Sequence, residues 1–200
     1  MNLRSGLYVT SASLLLLLFG CGGGAEGTDK STPGAPSIVY TTPDSAGGAP
    51  VVRLNQSLSS GNTIVFDVIG NQPSQVIDGL VLNLIVDPTK LIPVAVPGAW
   101  DPEPRHLMAT PTVMTGGFGG GTAIAVRKDR TDGTSMMAVA IRRPSQSVAC
   151  NGVLMRFAYQ ILGTPVQGVI RAQVVAGSGI TANGYLVSGT TPVIGRLEYK

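Results

Sequence analysis

The chain has few of the residues that most often carry chemistry. It contains two cysteines and one histidine, His106, among 200 residues. A zinc site needs three or four histidine, cysteine or carboxylate ligands, and a serine or cysteine nucleophile needs a base beside it. His106 and Cys150 cannot supply either arrangement by themselves. We therefore expect no enzymatic activity, no metal site and no cofactor.

Charge is also scarce and nearly balanced. Charged residues make up 12% of the chain, and the formal net charge is +3. A nucleic-acid-binding protein needs concentrated positive charge, so we expect no nucleic-acid partner. Glycine and proline, by contrast, are abundant, with 27 and 14 residues. This composition is typical of short strands joined by many turns.

One long apolar run stands at the N-terminus. Arg4 precedes an apolar segment, Leu7 to Phe19, that is too short to span a bilayer permanently and is typical of a cleaved secretory signal. The segment ends in Leu18-Phe19-Gly20-Cys21, which resembles the lipobox of bacterial lipoproteins. The resemblance implies cleavage before Cys21 and a lipid on its sulfur. The alternative is an ordinary cleaved signal followed by an incidental cysteine.

These features divide the chain into a signal peptide at 1–20, a tether at 21–50 and one folded domain at 51–200. The tether is rich in Gly, Ser, Thr, Pro and Ala, a composition that buries too little apolar surface to order itself, although Ile38–Tyr40 could dock on the domain. A lipidated Cys21 would hold the protein in the cell envelope. Gly22 is not acidic, which by analogy favours the outer membrane or cell surface over the inner membrane.

Beyond Val51 the apolar residues alternate with a period of two, which is typical of half-buried strands. The alternating sets expected to face the core are Ile64, Phe66 and Val68; Leu80, Leu82, Leu84 and Val86; Ile124 and Val126; Met137, Val139 and Ile141; Val153, Met155, Phe157, Tyr159 and Ile161; and Val166, Ile170 and Val174. No segment after the signal keeps a helical period. The pattern predicts an all-β fold, a β-sandwich of eight or nine short strands.

Turn signals separate these strands. Asp132-Gly133 lies between two alternating runs and is the strongest hairpin signal. We also expect turns at Gly70–Pro73, Asp87-Pro88, Asn151-Gly152 and Asn183-Gly184. Cys150, next to one of these, is interpreted as an inert buried residue, with pairing between molecules as the alternative.

The order of motifs resembles that of bacterial cohesin modules. Gly61-Asn62-Thr63-Ile64-Val65 opens one strand, Val86-Asp87-Pro88-Thr89-Lys90-Leu91 closes the next, and Gly152–Tyr159 forms a later Gly-x-Leu-x-x-Phe-like strand. The resemblance implies a jelly-roll sandwich that docks a dockerin-like protein on a flat sheet face, in the service of polysaccharide degradation. A Val at position 86, where an aromatic residue is usual, departs from the pattern.

The expected function is therefore binding without catalysis. Strand alternation predicts that Arg127, Arg142, Arg156 and Arg171 point outward. If their strands are neighbours, they form a basic stripe that could bind carboxylates of a protein partner; the alternative is an ordinary solvated surface.

Two other functions stay open. Direct carbohydrate binding would need exposed aromatic rings, and Trp100, beside an acidic loop, is the best candidate for one. A structural role in an envelope or secretion assembly would need no ligand at all.

Overall fold

The structure, a computed structural model, describes residues 38–44, 48–96, 112–114, 121–144, 146–163 and 168–199. Within these ranges the regular structure is β-strand, and no helix long and apolar enough to cross a membrane is found there. The described strands are β1 (Ile38–Thr41), β2 (Val51–Leu54), β3 (Thr63–Ile77), β4 (Gly79–Val86), β5 (Leu91–Val94), β6 (Thr122–Asp129), β7 (Ser135–Arg142), β8 (Val148–Ile161), β9 (Gly168–Ile170), β10 (Ala172–Val174), β11 (Gly179–Ala182), β12 (Tyr185–Leu186) and β13 (Arg196–Tyr199). The predicted all-β fold is confirmed, with more short strands than expected.

The strands form three antiparallel sheets. One sheet has the order β2-β3-β8-β5, a second the order β12-β11-β4-β7-β6 with β10 also paired to β4, and a third the order β1-β13-β9. The four-stranded and six-stranded sheets share one apolar core, to which Phe66 and Phe157 contribute from the first and Leu82 and Val139 from the second. This arrangement is a β-sandwich, because the apolar faces of two sheets are buried against each other.

The centre of the core is aromatic. The ring centroids of Phe66 and Phe157 lie 5.3 Å apart in a stacked pair, and Phe157 meets Tyr159 edge to face at 6.0 Å. All three side chains are fully buried, as the alternation predicts. The inward sets of β4 and β7 are confirmed as well, since each of their members is at most 2% exposed.

Three of the predicted turns are present. In the β6–β7 hairpin, Gly133 has φ of 78°, and the Arg130 amide donates to the Thr134 carbonyl at 2.8 Å. Asn183 and Gly184 both have positive φ between β11 and β12, as a two-residue hairpin turn of type I′ requires. Asp87 ends β4 and accepts hydrogen bonds from the amide and hydroxyl of Thr89.

Two predicted turns are wrong, because Gly70–Pro73 and Asn151-Gly152 lie inside the long strands β3 and β8. Gly70 pairs with Gly152 in the ladder, and irregularities in register follow Val68 and Gln72. A Cβ on Gly70 would lie 2.7 Å from the carbonyl oxygen of Cys150. These glycines therefore permit close approach and local bulges rather than reversals of the chain.

The predicted Val166–Val174 strand is divided in two within residues 168–174, while Val166 lies outside the described residues. β9 pairs with β13, whereas β10 pairs with β4, so the chain changes sheet at Arg171. Short strands that switch sheets close the edges of a sandwich. Arg171 is thus a corner residue, not the middle of a strand.

The segment predicted as a tether contributes β1 to the fold. Ile38–Thr41 pairs with β13. The hydroxyl of Tyr40 donates to the Val52 carbonyl at 2.7 Å and accepts from the Gly195 amide at 2.8 Å. The suggested docking of Ile38–Tyr40 is therefore confirmed, while the signal peptide and residues 21–37 lie outside the described residues.

Candidate functional site

The register of the β6–β7 hairpin decides which side chains share a face. Residues directly opposite one another in an antiparallel pair project to the same side. Met137, Val139 and Ile141 are buried in the core, and the residues opposite them are Arg127, Ala125 and Ala123. The outward side of this hairpin is therefore occupied by the other set: Ile124, Val126 and Lys128 on β6, and Met136, Ala138, Ala140 and Arg142 on β7.

The same side continues across β4. Val81, Asn83 and Ile85 lie opposite Ala140, Ala138 and Met136. We call the surface formed by these apolar and small residues the outer face. Its members are Val81, Asn83, Ile124, Val126, Met136, Ala138 and Ala140; Ile85 shares this side of the sheet but is only 6% exposed and is not part of the open surface. Apart from Asn83, the side chains of the outer face are aliphatic or thioether groups that do not form strong hydrogen bonds with water.

Two large side chains of the outer face stand open to solvent. Ile124 is 65% exposed and Val126 is 55% exposed. Single exposed apolar residues are ordinary, but these two stand on one strand beside Ala138 and Ala140. The expectation that Ile124 and Val126 point into the core is therefore wrong, because the alanines of β6 take the inward positions.

Positive charge stands at both ends of the outer face. Lys128 lies opposite Met136 near the hairpin turn, and Arg142 is the last residue of β7, at the opposite end of the same face. Both are exposed. Arg142 is the predicted arginine that the structure places on this surface. An apolar centre with charged ends is the usual anatomy of a protein-binding surface.

Arg127 is exposed, with 40% of its side chain accessible, but it does not share the outer face with Arg142. Its position opposite Met137 puts it on the inward side at the end of the sandwich. Its guanidinium binds the Asp129 carboxylate at 3.0 Å and the Ser135 hydroxyl at 3.2 Å. Burial raises the pKa of the nearby Tyr159 hydroxyl, and the charge of Arg127 partly offsets that rise.

Arg156 lies on the other sheet. It stands opposite Asp67 in the β3–β8 ladder, and two of its nitrogens bind the two carboxylate oxygens. Asn55 donates a third hydrogen bond to Asp67 at 2.8 Å. The hydrogen bond with Asp67 raises the pKa of Arg156. The guanidinium of Arg156 therefore binds a carboxylate of the protein itself.

Arg171 lies at the corner between β9 and β10. The pKa of Asp132 in the β6–β7 turn is lowered mainly by hydrogen bonds from Thr134, and the charge of Arg171 contributes least. Arg127 and Arg142 thus lie on opposite sides of the β6–β7 hairpin, Arg156 lies on the four-stranded sheet, and Arg171 lies at a corner between two strands. The structure does not bring them together as one basic stripe. Cys21, Trp100 and His106 lie outside the described residues.

The described residues hold little reactive chemistry. They contain no group of three or more His, Cys, Asp or Glu side chains placed to hold a metal ion. Cys150 is fully buried, and burial raises the pKa of its thiol. A protonated, enclosed thiol is a poor nucleophile. The expected burial of Cys150 is confirmed, and its low reactivity stays a prediction.

A second feature is a cavity of about 280 Å³ beside β1 and β13. Its walls include Ile38 and the half-buried ring of Tyr199, which face each other in register. Gln56, Ser60 and Thr63 supply amide and hydroxyl groups. The cavity thus combines an aromatic surface with uncharged polar groups.

Sequence reasoning missed the outer face, because alternation on β6 is ambiguous. Ala123 and Ala125 are apolar enough to fill inward positions, and Ile124 and Val126 were the larger pair. The available signal was the polar end of the strand, where Lys128 shares the side of Ile124 and Val126.

Comparison with known protein families and with curated protein sequences finds no significant match.

Proposed function

We propose that this protein is a non-catalytic binding module that docks a protein partner on the outer face of its six-stranded sheet, and that a lipid on Cys21 anchors it in the cell envelope. The observation that carries the docking proposal is the exposure of Ile124 and Val126 beside Ala138 and Ala140. Burying such side chains contributes roughly 25 cal/mol for each Å² of apolar surface removed from water.

The shape and charge of the surface favour a protein over a sugar. Sugar-binding platforms present aromatic rings, whereas the outer face presents aliphatic side chains and alanines. Small residues let a partner backbone approach closely, and Lys128 and Arg142 offer contacts to carboxylates at the rim. The resemblance of the motifs to cohesins supports the same mode, with an acidic-rimmed, dockerin-like partner and a role in polysaccharide degradation.

A photo-crosslinking amino acid at Ala140 tests docking in cells that produce the full chain. Ala140 is exposed and lies between Ile124 and Val81 in register, at the middle of the outer face. We expect a discrete adduct with a different protein. The matched control is a crosslinker at Gln160, an exposed residue of β8 on the other sheet.

A second variant tests the rim. Arg142→Glu should reduce the Ala140 adduct at least fivefold if Arg142 binds carboxylates of the partner, whereas Lys90→Glu, at an exposed position in the turn between β4 and β5, should leave it unchanged. Equal adducts from Ala140 and Gln160, or no adduct in folded protein, would contradict docking on this face. Anchoring is tested separately: Cys21→Ser should release the chain from the membrane fraction, and mass spectrometry should find lipid on the Cys21 peptide.

The second candidate function, direct carbohydrate binding, is favoured by the cavity beside Tyr199. Its aromatic, amide and hydroxyl groups match the chemistry that binds one sugar ring. A glycan array with the full chain, Tyr199→Ala and Trp100→Ala distinguishes the sites. Loss of glycan binding in either variant, with no protein adduct at Ala140, would favour this function over protein docking.

A further inference from the structure

The outer edge of β6 is an open strand edge. β6 ends the order of the six-stranded sheet, so among the described strands it pairs with β7 alone. It is eight residues long, Thr122–Asp129. A long edge strand with exposed apolar side chains is a template for pairing with another strand. We propose that β6 pairs with β6 of a second copy of this chain, antiparallel, to form one continuous sheet across a twofold axis.

Backbone geometry shows which groups are free for such pairing. The Arg130 amide donates toward β7, to the Thr134 carbonyl. Because successive residues of a strand direct their amides to alternate edges, Ala123, Ala125, Arg127 and Asp129 direct theirs to the open edge. Among the described residues, no strand pairs with these four amides and their carbonyls, so they are available to a partner strand.

The contact at Gly121 confirms this assignment and limits the pairing. The Gly121 amide donates to the Met114 carbonyl at 2.7 Å, so Met114 occupies the open-edge side at that position. A partner strand can therefore extend along β6 only as far as residue 122. This limit excludes registers that continue past the start of the strand.

The charges of β6 select the antiparallel orientation. Arg127, Lys128 and Asp129 are at the end of the strand, and residues 122–126 are uncharged. A parallel pair in register would place Arg127 beside Arg127 and Lys128 beside Lys128 of the second copy. With Ala125 opposite Ala125 of the second copy, an antiparallel pair separates the two Arg127 residues by about 13 Å along the strand and the two Lys128 residues by about 20 Å. Like charges directly opposite one another destabilise a sheet.

We select the register that satisfies both limits with the longest overlap and keeps Ile124 away from Lys128. With Ala125 opposite Ala125 of the second copy, residues 122–128 overlap and stop before Gly121. Ile124 of each copy then lies opposite Val126 of the other copy. The two pairs bring four exposed β-branched side chains together in one cluster on the outer face. A shift by one residue in each copy toward the end of β6 would place Ile124 opposite Lys128, and a shift the other way would shorten the overlap to residues 122–126. Cross-strand pairs of β-branched side chains stabilise a sheet.

The dimer leaves the outer face open and doubles its width. The inference does not rest on the docking proposal, because edge pairing uses the backbone of β6 and the face stays available. The Ala140 crosslinker reports a foreign protein, whereas the cysteines described next report a second copy.

Disulfide trapping in cells tests the register with the full chain. Ile124→Cys and Val126→Cys are produced together with different tags and treated with a mild oxidant. Opposed residues of this type have Cα atoms about 4.5 Å apart, within disulfide range. Two copies of Ile124→Cys alone would have these atoms about 8 Å apart, outside that range. We expect the mixed dimer to exceed either single-variant dimer at least tenfold.

Ala140→Cys is the matched control, since it is exposed on the same face but one strand further from the axis. Equal cross-linking of Ala140→Cys, or no mixed dimer from chains whose domain resists trypsin, would overturn the proposal. Sedimentation of the unaltered full chain in detergent gives a reading that needs no variant. Twice the chain mass supports the dimer, and a chain that stays monomeric at the highest concentration measured overturns it.

Discussion

Asp67 and Arg156 face each other across the β3–β8 ladder and form a two-pronged ion pair on the four-stranded sheet. Their side chains are 10% and 16% exposed, and Asn55 completes the hydrogen bonding of the carboxylate. Removing one partner of a buried pair leaves a charge without compensation, which costs more than the pair itself contributes. The contact therefore stabilises the register of the two strands. We expect removal of either charged side chain alone to destabilise the fold.

Arg156→Met is expected to lower the free energy of unfolding by about 3 kcal/mol, because it leaves the Asp67 carboxylate buried without its cation. Urea denaturation measures the change. The double variant Asp67→Leu with Arg156→Met should recover much of the loss, since both charges are gone. Arg142→Met is the control and should change stability by less than about 0.5 kcal/mol. An equal effect of the two arginine variants would contradict the assigned roles.

Asp132→Asn should weaken the dependence of stability on acid. Hydrogen bonds from the hydroxyl and then the amide of Thr134 lower the pKa of Asp132 in the fold. A lowered folded-state pKa means that the charged form stabilises the fold above the ordinary aspartate pKa, and that this stability is lost as pH falls through the folded-state value.

The measurement is the urea midpoint at pH 7 and at pH 3. The midpoint should fall less in Asp132→Asn than in the unaltered protein. Asp44→Asn removes one exposed carboxylate elsewhere and controls for net charge. A fall in Asp132→Asn as large as in the unaltered protein would show that this carboxylate does not stabilise the hairpin.

Gly70→Ala is expected to destabilise the fold by about 2 kcal/mol, the usual range for overpacking. The added Cβ would lie 2.7 Å from the Cys150 carbonyl oxygen and 2.9 Å from its sulfur, and the backbone of β8 cannot move away cheaply. Thermal unfolding followed by circular dichroism provides the comparison. Gly61→Asn is the control, because nothing lies within 4 Å of a Cβ there and Asn tolerates its φ of 57°. A harmless Gly70→Ala would refute the close approach.

The Cys150 thiol should resist modification in the native protein. Burial both encloses the sulfur and raises its pKa, so the reactive thiolate is scarce. Reaction with a thiol reagent, located on the Cys150 peptide by mass spectrometry, should be at least a hundredfold slower than in urea. Ile124→Cys provides an exposed thiol that should react quickly without urea. Rapid native labelling of Cys150 would contradict its position in the core.

The core strands were predictable because large apolar residues recur at every second position over several residues. On β4 this run is Leu80–Val86 and on β7 it is Met137–Ile141, and the residues at its alternate positions are buried. The Asp132-Gly133 turn was predictable because its chemistry is local: a glycine at positive φ and a carboxylate that binds the amide two residues on. Signals that depend on neighbouring residues alone were interpreted correctly here.

The candidate site was less predictable, because it depends on which strands are neighbours. In the sequence, Arg127 and Arg156 occupy positions that alternate like outward residues. Alanines take the inward positions of β6, so Arg127 lies on the core-facing side of that strand. Arg156 instead binds Asp67, which lies opposite it in the ladder. Gly152 resembles a turn residue in the sequence, yet it has a positive φ inside β8, where it pairs with Gly70 close to the register irregularity after Val68. Pairing partners decide such cases, and a single sequence does not name them.

The pairing of Ile38 with Tyr199 sets how the fold responds to mechanical load. In the antiparallel β1–β13 ladder these two residues stand at the same end, so a pull on the chain before Ile38 and after Tyr199 acts along the hydrogen bonds instead of across them. The four pairs would open one after another, like a zipper, at low force. Tension on the N-terminal side would thus peel β1 away while the sandwich behind it stays closed.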